Sequence, residues 1–328
     1  MTQTKTPVFR PRWGLAGGHR QTLASFFLAR RCSVPPAEPR LIEVEPGVRV
    51  LVHCHWQADR QKALTVVVVH GLEGSSDSQY MLGIAAKALA LGMNVIRMNQ
   101  RNCGGTEAQA PTLYHSGRSQ DVAAVAQNLI DQDRISRLAL AGFSMGGNLV
   151  LKLAGEWGIS GPAQFRAVAA VCPAVNLAAS ADALHLRSNR LYEEYFLWKL
   201  RGRLRTKARL FPEAFDTSRL RGIGSLRDFD DRITAYYCGF TGADDYYDRA
   251  AASHVLDRIA VPTFILHAAN DPFIRIVPET RRKILDNPSI TFLETEDGGH
   301  CSYLAEADGT TNDGRWAESQ VVEFLSAV

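Results

Sequence analysis

Ser144, Asp271 and His300 have the types, and the order along the chain, of a nucleophile, an acid and a base that work together. Ser144 stands in Gly142-Phe143-Ser144-Met145-Gly146, between an apolar run over residues 137–141 and a helix-like run over 148–157. A serine at the apex of a strand-to-helix turn is forced to positive φ, and the residues two before and two after it must be small. Such a turn lifts the hydroxyl clear of the sheet. It also leaves the first N–H groups of the next helix pointing at whatever the serine attacks. Asp271 follows the strand-like run 263–267, and His300 follows the run 290–294 in the glycine-rich stretch Glu296-Asp297-Gly298-Gly299-His300. Taken singly, Asp271 could cap the turn before Pro272 and His300 could be a surface histidine. Taken together, each lies just past the end of a different predicted strand, in the order that acyl transfer through a serine uses.

Acyl transfer also needs donors for the oxyanion. One is the N–H after the nucleophile, here Met145. The other is expected in the loop after the third strand, and Leu72 of His70-Gly71-Leu72-Glu73-Gly74 is the candidate. The strand leading there, residues 64–69, carries four consecutive valines and suits burial on both faces.

The remaining elements must position these loops. Residues 41–45 and 49–56 read as strands joined by Pro46-Gly47, and 93–98 and 167–171 as further strands. Residues 79–91 and 119–132 read as helices, the second capped by Ser119 with Asp121 in its first turn. Asp121 reads as a structural carboxylate and His115 as a loop or core histidine. From 176 to 259 no core strand is expected; helical, charged and aromatic segments interrupt the strand–helix rhythm, which resumes at Pro262. That interruption predicts a lid over the strand ends, where ligands bind in such sheets. Residues 187–209 are rich in Arg and Lys, which reads as a solvated helix face or as a surface for anionic groups. Tyr195, Phe196 and Trp198 read as lid core or as lining of an apolar acyl pocket.

The chain has 328 residues and a formal net charge of +3, too small to point to a nucleic-acid partner. Its six cysteines are scattered without Cys-x-x-Cys spacing, which predicts reduced thiols in a cytoplasmic protein. Residues 1–12 resemble neither a secretory signal nor a membrane span, and the apolar run 23–29 is too short to cross a bilayer. No metal or organic cofactor is implied.

Several motifs together resemble the YheT-type esterases, a branch of the α/β-hydrolases that also includes animal membrane-anchored lipid hydrolases and fungal ethyl-ester-forming acyltransferases. They are His70-Gly71-Leu72-Glu73-Gly74-Ser75, Tyr114-His115-Ser116-Gly117, the stretch from Gly142 to Asn148, Ala243-Asp244-Asp245-Tyr246-Tyr247, Asn270-Asp271-Pro272-Phe273 and Gly298-Gly299-His300. Gly18-His19-Arg20-Gln21-Thr22 is similar to the branch's N-terminal Gly-His-x-Gln-Thr signature. The resemblance extends over residues 9–325. It implies an α/β-hydrolase fold: a mostly parallel eight-stranded sheet flanked by helices, with a helical lid inserted after strand 6. The core would comprise 1–175 and 260–328, with an N-terminal arm over 1–40, and the lid 176–259. It also implies Ser144, Asp271 and His300 as a catalytic triad. The sequence departs from the family at Asn102, where the usual pattern after the fourth strand is Arg-Gly-Cys-Gly.

The expected substrate is a small-molecule ester with an apolar acyl chain, lipid-like esters included, and weak peripheral membrane contact is compatible with this reading. Transfer to an alcohol or thiol, or thioester hydrolysis, would use the same acyl-enzyme. A non-catalytic binding module on this fold has no need of all three residues.

Overall fold

Eight strands form one sheet in the order β1-β2-β4-β3-β5-β6-β7-β8. They are β1 (Glu38–Glu45), β2 (Val48–His55), β3 (Thr65–Val69), β4 (Asn94–Met98), β5 (Leu138–Phe143), β6 (Phe165–Val171), β7 (Thr263–Ala268) and β8 (Ile290–Thr295). β1 and β2 pair antiparallel, as do β2 and β4; every other pair is parallel. The computed structural model describes residues 8–28, 30, 32–307 and 313–328. The readings of residues 1–7 and of Ala29 lie outside the described residues.

The valine run explains the centre of the sheet. β3 is buried along its whole length. Val67 and Val69 face one apolar layer, with Leu138 and Leu140 of β5, while Val66 and Val68 face the other, with Ala139 and Ala141. This is the two-residue period of a strand, with both faces covered by helices. Helices α3 (Ser119–Asp133) and α4 (Met145–Trp157) cover the first face. Helix α2 (Gln79–Ala90) and the C-terminal helix Trp316–Ser326 cover the second.

The register aligns the strand ends that matter. Val69 pairs with Gly142, Phe143 with Val171, Val171 with Leu266 and Ala268 with Thr295. The loops after β3, β5, β7 and β8 therefore leave the sheet at the same, carboxyl, end of the parallel strands. Between β6 and β7 the described chain forms helices and turns only, among them α5 (Leu177–Leu184) and α6 (Arg190–Leu210). These pack their own apolar clusters, one around Leu197, Leu200, Leu204 and Phe229 and another around Leu177, Tyr246 and Phe273.

Two local expectations change. Ser119 is the first helical residue of α3 and caps nothing; its hydroxyl donates to Glu156 Oε2 at 2.6 Å. The basic stretch 187–209 is divided by the helix period. Arg187, Arg190, Arg205 and Arg209 are exposed, whereas Arg203 and Lys207 reach into the protein. Asp121 is structural, as read: it holds the buried Arg101 through two bonds of 2.5 and 2.6 Å. His115 is buried, and loss of solvent pulls its imidazole down to about 3.

Candidate active site

Ser144 sits where β5 turns into α4, at φ 54° and ψ −119°. The turn packs so closely on its surroundings that the flanking positions have no room for a side chain. A Cβ on Gly142 would stand 2.2 Å from Gly146 O, and one on Gly146 would stand 2.2 Å from Val69 O. The Ser144 N–H donates to Val171 O at 2.9 Å, and its carbonyl accepts from Asn148 N and Ala174 N. With every backbone bond engaged, the turn is rigid and its side chain is left to face the cleft.

The loop after β3 lies against this turn: a Cβ on Gly71 would be 3.1 Å from Ser144 Cβ. The buried His70 shapes the loop. Its Nε2 accepts from Gln100 N–H at 3.1 Å, so Nδ1 carries the proton and donates to Gly71 O at 2.8 Å. Burial pulls this imidazole down to about 4, so it serves as a neutral strut. The Gly71 N–H is engaged by Tyr80 Oη and the Glu73 N–H by Tyr114 Oη. Among the described residues the Leu72 N–H has no acceptor. The N–H of Met145, at the first position of α4, has none within its helix. Both residues line the same cleft as Ser144.

His300 and Asp271 are joined by a 2.8 Å bond from Nδ1 to Oδ2. The other carboxylate oxygen of Asp271 accepts the N–H groups of Phe273 and Ile274 at 3.0 and 2.9 Å. Burial disfavours the Asp271 carboxylate, but the charge and hydrogen bond of His300 outweigh it and hold the group below its ordinary value. Burial likewise works against a charged His300, and Asp271 overrides it, raising the imidazole above its ordinary value. The Phe273 ring packs on His300 at 4.4 Å between centroids. The elbow and the histidine loop meet at the end of β6, where Val171 O accepts both Ser144 N–H and the Cys301 thiol. Among the described residues no hydrogen bond joins Ser144 Oγ to His300 Nε2. Such bonds are often long until substrate binds.

Sequence reading passed over what holds the His300 loop. Helix α1 (Gly18–Phe27) carries the Gly-His-x-Gln-Thr stretch. Thr22 Oγ1 accepts the His300 N–H at 2.9 Å, and the buried Gln21 bonds both N–H and C=O of Leu304. Gly17 N–H donates to Asp297, which also accepts from Asn270; Asn270 in turn accepts the Gly299 N–H. The signal was present in the motif, but its partner lay some 280 residues away.

A cleft of about 110 Å³ opens from Ser144 toward α5 and α6. Its walls are chiefly apolar, with Leu113, Leu177, Leu200, Phe229 and Phe273 among them. Of the three aromatics in question, Phe196 lines the cleft, whereas Tyr195 and Trp198 face outward. A polar corner contains Asp230, whose carboxylate accepts from Thr234 and Tyr247 hydroxyls; burial pushes it up to about 6. Arg203 of α6 bonds Glu73 at 2.8 and 3.0 Å and reaches the carbonyl of Asn102, tying the helical segment to the loop after β3. Asn102 takes φ 63°, a conformation in which asparagine substitutes for glycine with little strain. Donor atoms of Cys172, His300 and Cys301 lie within 4.8 Å of one another, a spacing a soft metal ion could bridge. In this structure they bond to each other and to backbone: Cys172 Sγ accepts Cys301 N–H, and Cys301 Sγ lies 3.9 Å from His300 Nε2.

A family model described as the alpha/beta hydrolase fold matches residues 65–307. The chain is 30% identical over 326 residues to "Putative esterase YheT" of Escherichia coli (strain K12), covering 97% of this chain and 93% of that protein. It is 28% identical over 296 residues to "Phospholipase ABHD3" of Mus musculus, covering 87% and 70%. Among solved structures it resembles 2,6-dihydroxy-pseudo-oxynicotine hydrolase, with TM-score 0.60 and 16% identity over 94% of this chain and 71% of that one. It also resembles the Pyrococcus furiosus esterase Pf2001, with TM-score 0.55 and 16% identity over 89% and 92%. At these identities the structural likeness concerns the fold alone. No helix among the described residues is long and apolar enough to cross a membrane.

Proposed function

Because the chain belongs to the α/β-hydrolase fold family, in the branch of the Escherichia coli protein YheT, we propose that it hydrolyses carboxylic esters through Ser144, His300 and Asp271. The observation that carries this reading is the 2.8 Å bond that His300 Nδ1 donates to Asp271, at the carboxyl end of the sheet where the strained Ser144 turn opens into an apolar cleft. Ser144 Oγ attacks the ester carbonyl while His300 Nε2 takes its proton. The N–H groups of Leu72 and Met145 hold the developing oxyanion, each worth about 3 kcal/mol of barrier. Asp271 keeps Nδ1 protonated, aims Nε2 at the serine and stabilises the imidazolium. His300 then gives its proton to the departing alcohol. Water, deprotonated by His300, attacks the acyl-serine carbonyl; the Ser144 Oγ–acyl bond breaks, His300 returns the proton to Oγ, and the carboxylic acid leaves.

Residues 176–259 serve in this reading as a lid over the cleft. The Arg203–Glu73 pair latches it beside Leu72, so lid and oxyanion loop move together. The apolar lining favours an acyl chain over a charged acid.

The test is turnover of a p-nitrophenyl ester series from acetate to palmitate. A maximum at one chain length is expected, with Ser144→Ala losing at least about a thousandfold while circular dichroism is unchanged. Turnover by Ser144→Ala at the wild-type rate would remove Ser144 as nucleophile.

A further inference from the structure

Where α1 meets α6, four aromatic side chains lie in solvent. Phe26 and Phe27 are 59% and 76% exposed, and Tyr195 and Trp198 are 37% and 67% exposed. Their rings form a continuous row. Phe27 lies 5.3 Å from Phe26, Phe26 lies 5.6 Å from Tyr195, and Tyr195 lies 6.4 Å from Trp198, between centroids. Leu191, exposed one turn before Tyr195, extends the row along α6, because residues 191, 195 and 198 share one helix face. Scattered exposed apolar residues need no explanation, but a contiguous row built from two elements distant in sequence does.

The charges around the row indicate what covers it. Arg187 and Arg190 are exposed at its start, and Arg205, seven residues beyond Trp198, is exposed at its end. The Lys199 ammonium lies 5.9 Å from the Tyr195 ring. The exposed acid of this stretch, Glu194, sits 3.8 Å from Arg190, which offsets it. Rings flanked by cations fit an anionic bilayer surface: the rings enter the boundary between headgroups and acyl chains while the guanidinium groups stay at phosphate level. A two-fold contact with a second copy would instead set the same arginines against each other. The opposite side of α6 faces the cleft, since Phe196, Leu200 and Leu204 line it.

We propose that this row docks the protein on anionic lipid surfaces, with α6 in the plane of the interface and the mouth of the cleft beside it. The docking stands on the patch itself. A lipid-phase ester as substrate rests additionally on the reading of the cleft as an esterase site.

The test is co-sedimentation of the full-length protein with sucrose-loaded vesicles of phosphatidylcholine, alone or mixed with phosphatidylglycerol. Binding to the anionic vesicles is expected and should weaken with salt. Phe26→Ala/Phe27→Ala/Trp198→Ala should lower partitioning at least about tenfold. Arg187→Glu/Arg190→Glu/Arg205→Glu should remove the preference for anionic vesicles, each basic residue contributing on the order of fivefold. Both variants should keep wild-type turnover of p-nitrophenyl acetate, which separates lost docking from lost folding. No wild-type binding to either vesicle, or variants that bind like wild type, would overturn the proposal. So would a dimer in sedimentation equilibrium that the aromatic substitutions dissolve. Binding is read without turnover, so failure here is distinct from failure of the esterase assignment.

Discussion

The turn that carries Ser144 and the loop that carries His300 meet at one carbonyl, Val171 O, yet their determinants lie at very different distances along the chain. The turn depends on Gly142 and Gly146, two residues to either side, and on strands next to it in the sheet. The loop depends on Thr22, Gln21 and Gly17, which belong to an arm at the other end of the chain. In the proposed reaction the nucleophile needs a fixed backbone trajectory, which a short motif and a strand register can supply. The proposed base has to keep one ring orientation within a loop rich in glycine, and a glycine-rich loop does not hold itself.

The largest expected effect tests the link between the two regions. Asp271→Asn should lower kcat/KM about ten-thousandfold, because the amide no longer holds Nδ1 protonated. The pH profile gives the sign. Turnover needs neutral His300, and Asp271 raises its affinity for a proton. The acid limb of the wild type should therefore lie above the ordinary imidazole range, and the residual activity of the variant should have its limb at lower pH. An unmoved limb would mean that Asp271 does not govern His300.

Gly146→Ala tests the turn by itself. Its methyl would stand 2.2 Å from Val69 O, so backbone must shift. About 2–3 kcal/mol of stability should be lost in urea unfolding, along with most ester turnover. Wild-type stability would show that the turn has slack, and the contrast with the histidine loop would weaken.

The smallest effect is expected at Thr22. Thr22→Val removes the acceptor of the His300 N–H while keeping the shape of the side chain. Stability should fall about 1 kcal/mol and kcat/KM about tenfold, and Thr22→Ser should restore both. If Thr22→Val changes neither, the loop holds itself and the arm is packing alone.

The difference between the two regions is also the difference between what could and could not be read from the amino acids. All eight strands were legible, because runs such as Val66 to Val69 bury both faces and have no other stable use. The tight turn at Ser144 was legible because small residues at 142 and 146 are a requirement written within five positions. Ser119 misled, because a serine before a helix has two uses, and here its hydroxyl is spent on Glu156 of the neighbouring α4. The basic stretch misled as a unit. Composition counts Arg203 and Lys207 with Arg205 and Arg209, but the helix period sends the first pair inward.

From the order of its residues alone, the chain determined the strand runs, the tight turn at Ser144 and the places of Asp271 and His300 just after later strands. These depend on local sterics and on short apolar runs, which short windows contain. Tertiary structure alone decided that Thr22 would hold His300, that Arg203 would hold Glu73, and that Phe26 and Tyr195 would share one surface. Each of these is a contact between distant segments. Its partner is chosen by how helices and loops pack over the sheet, and no local pattern encodes that choice.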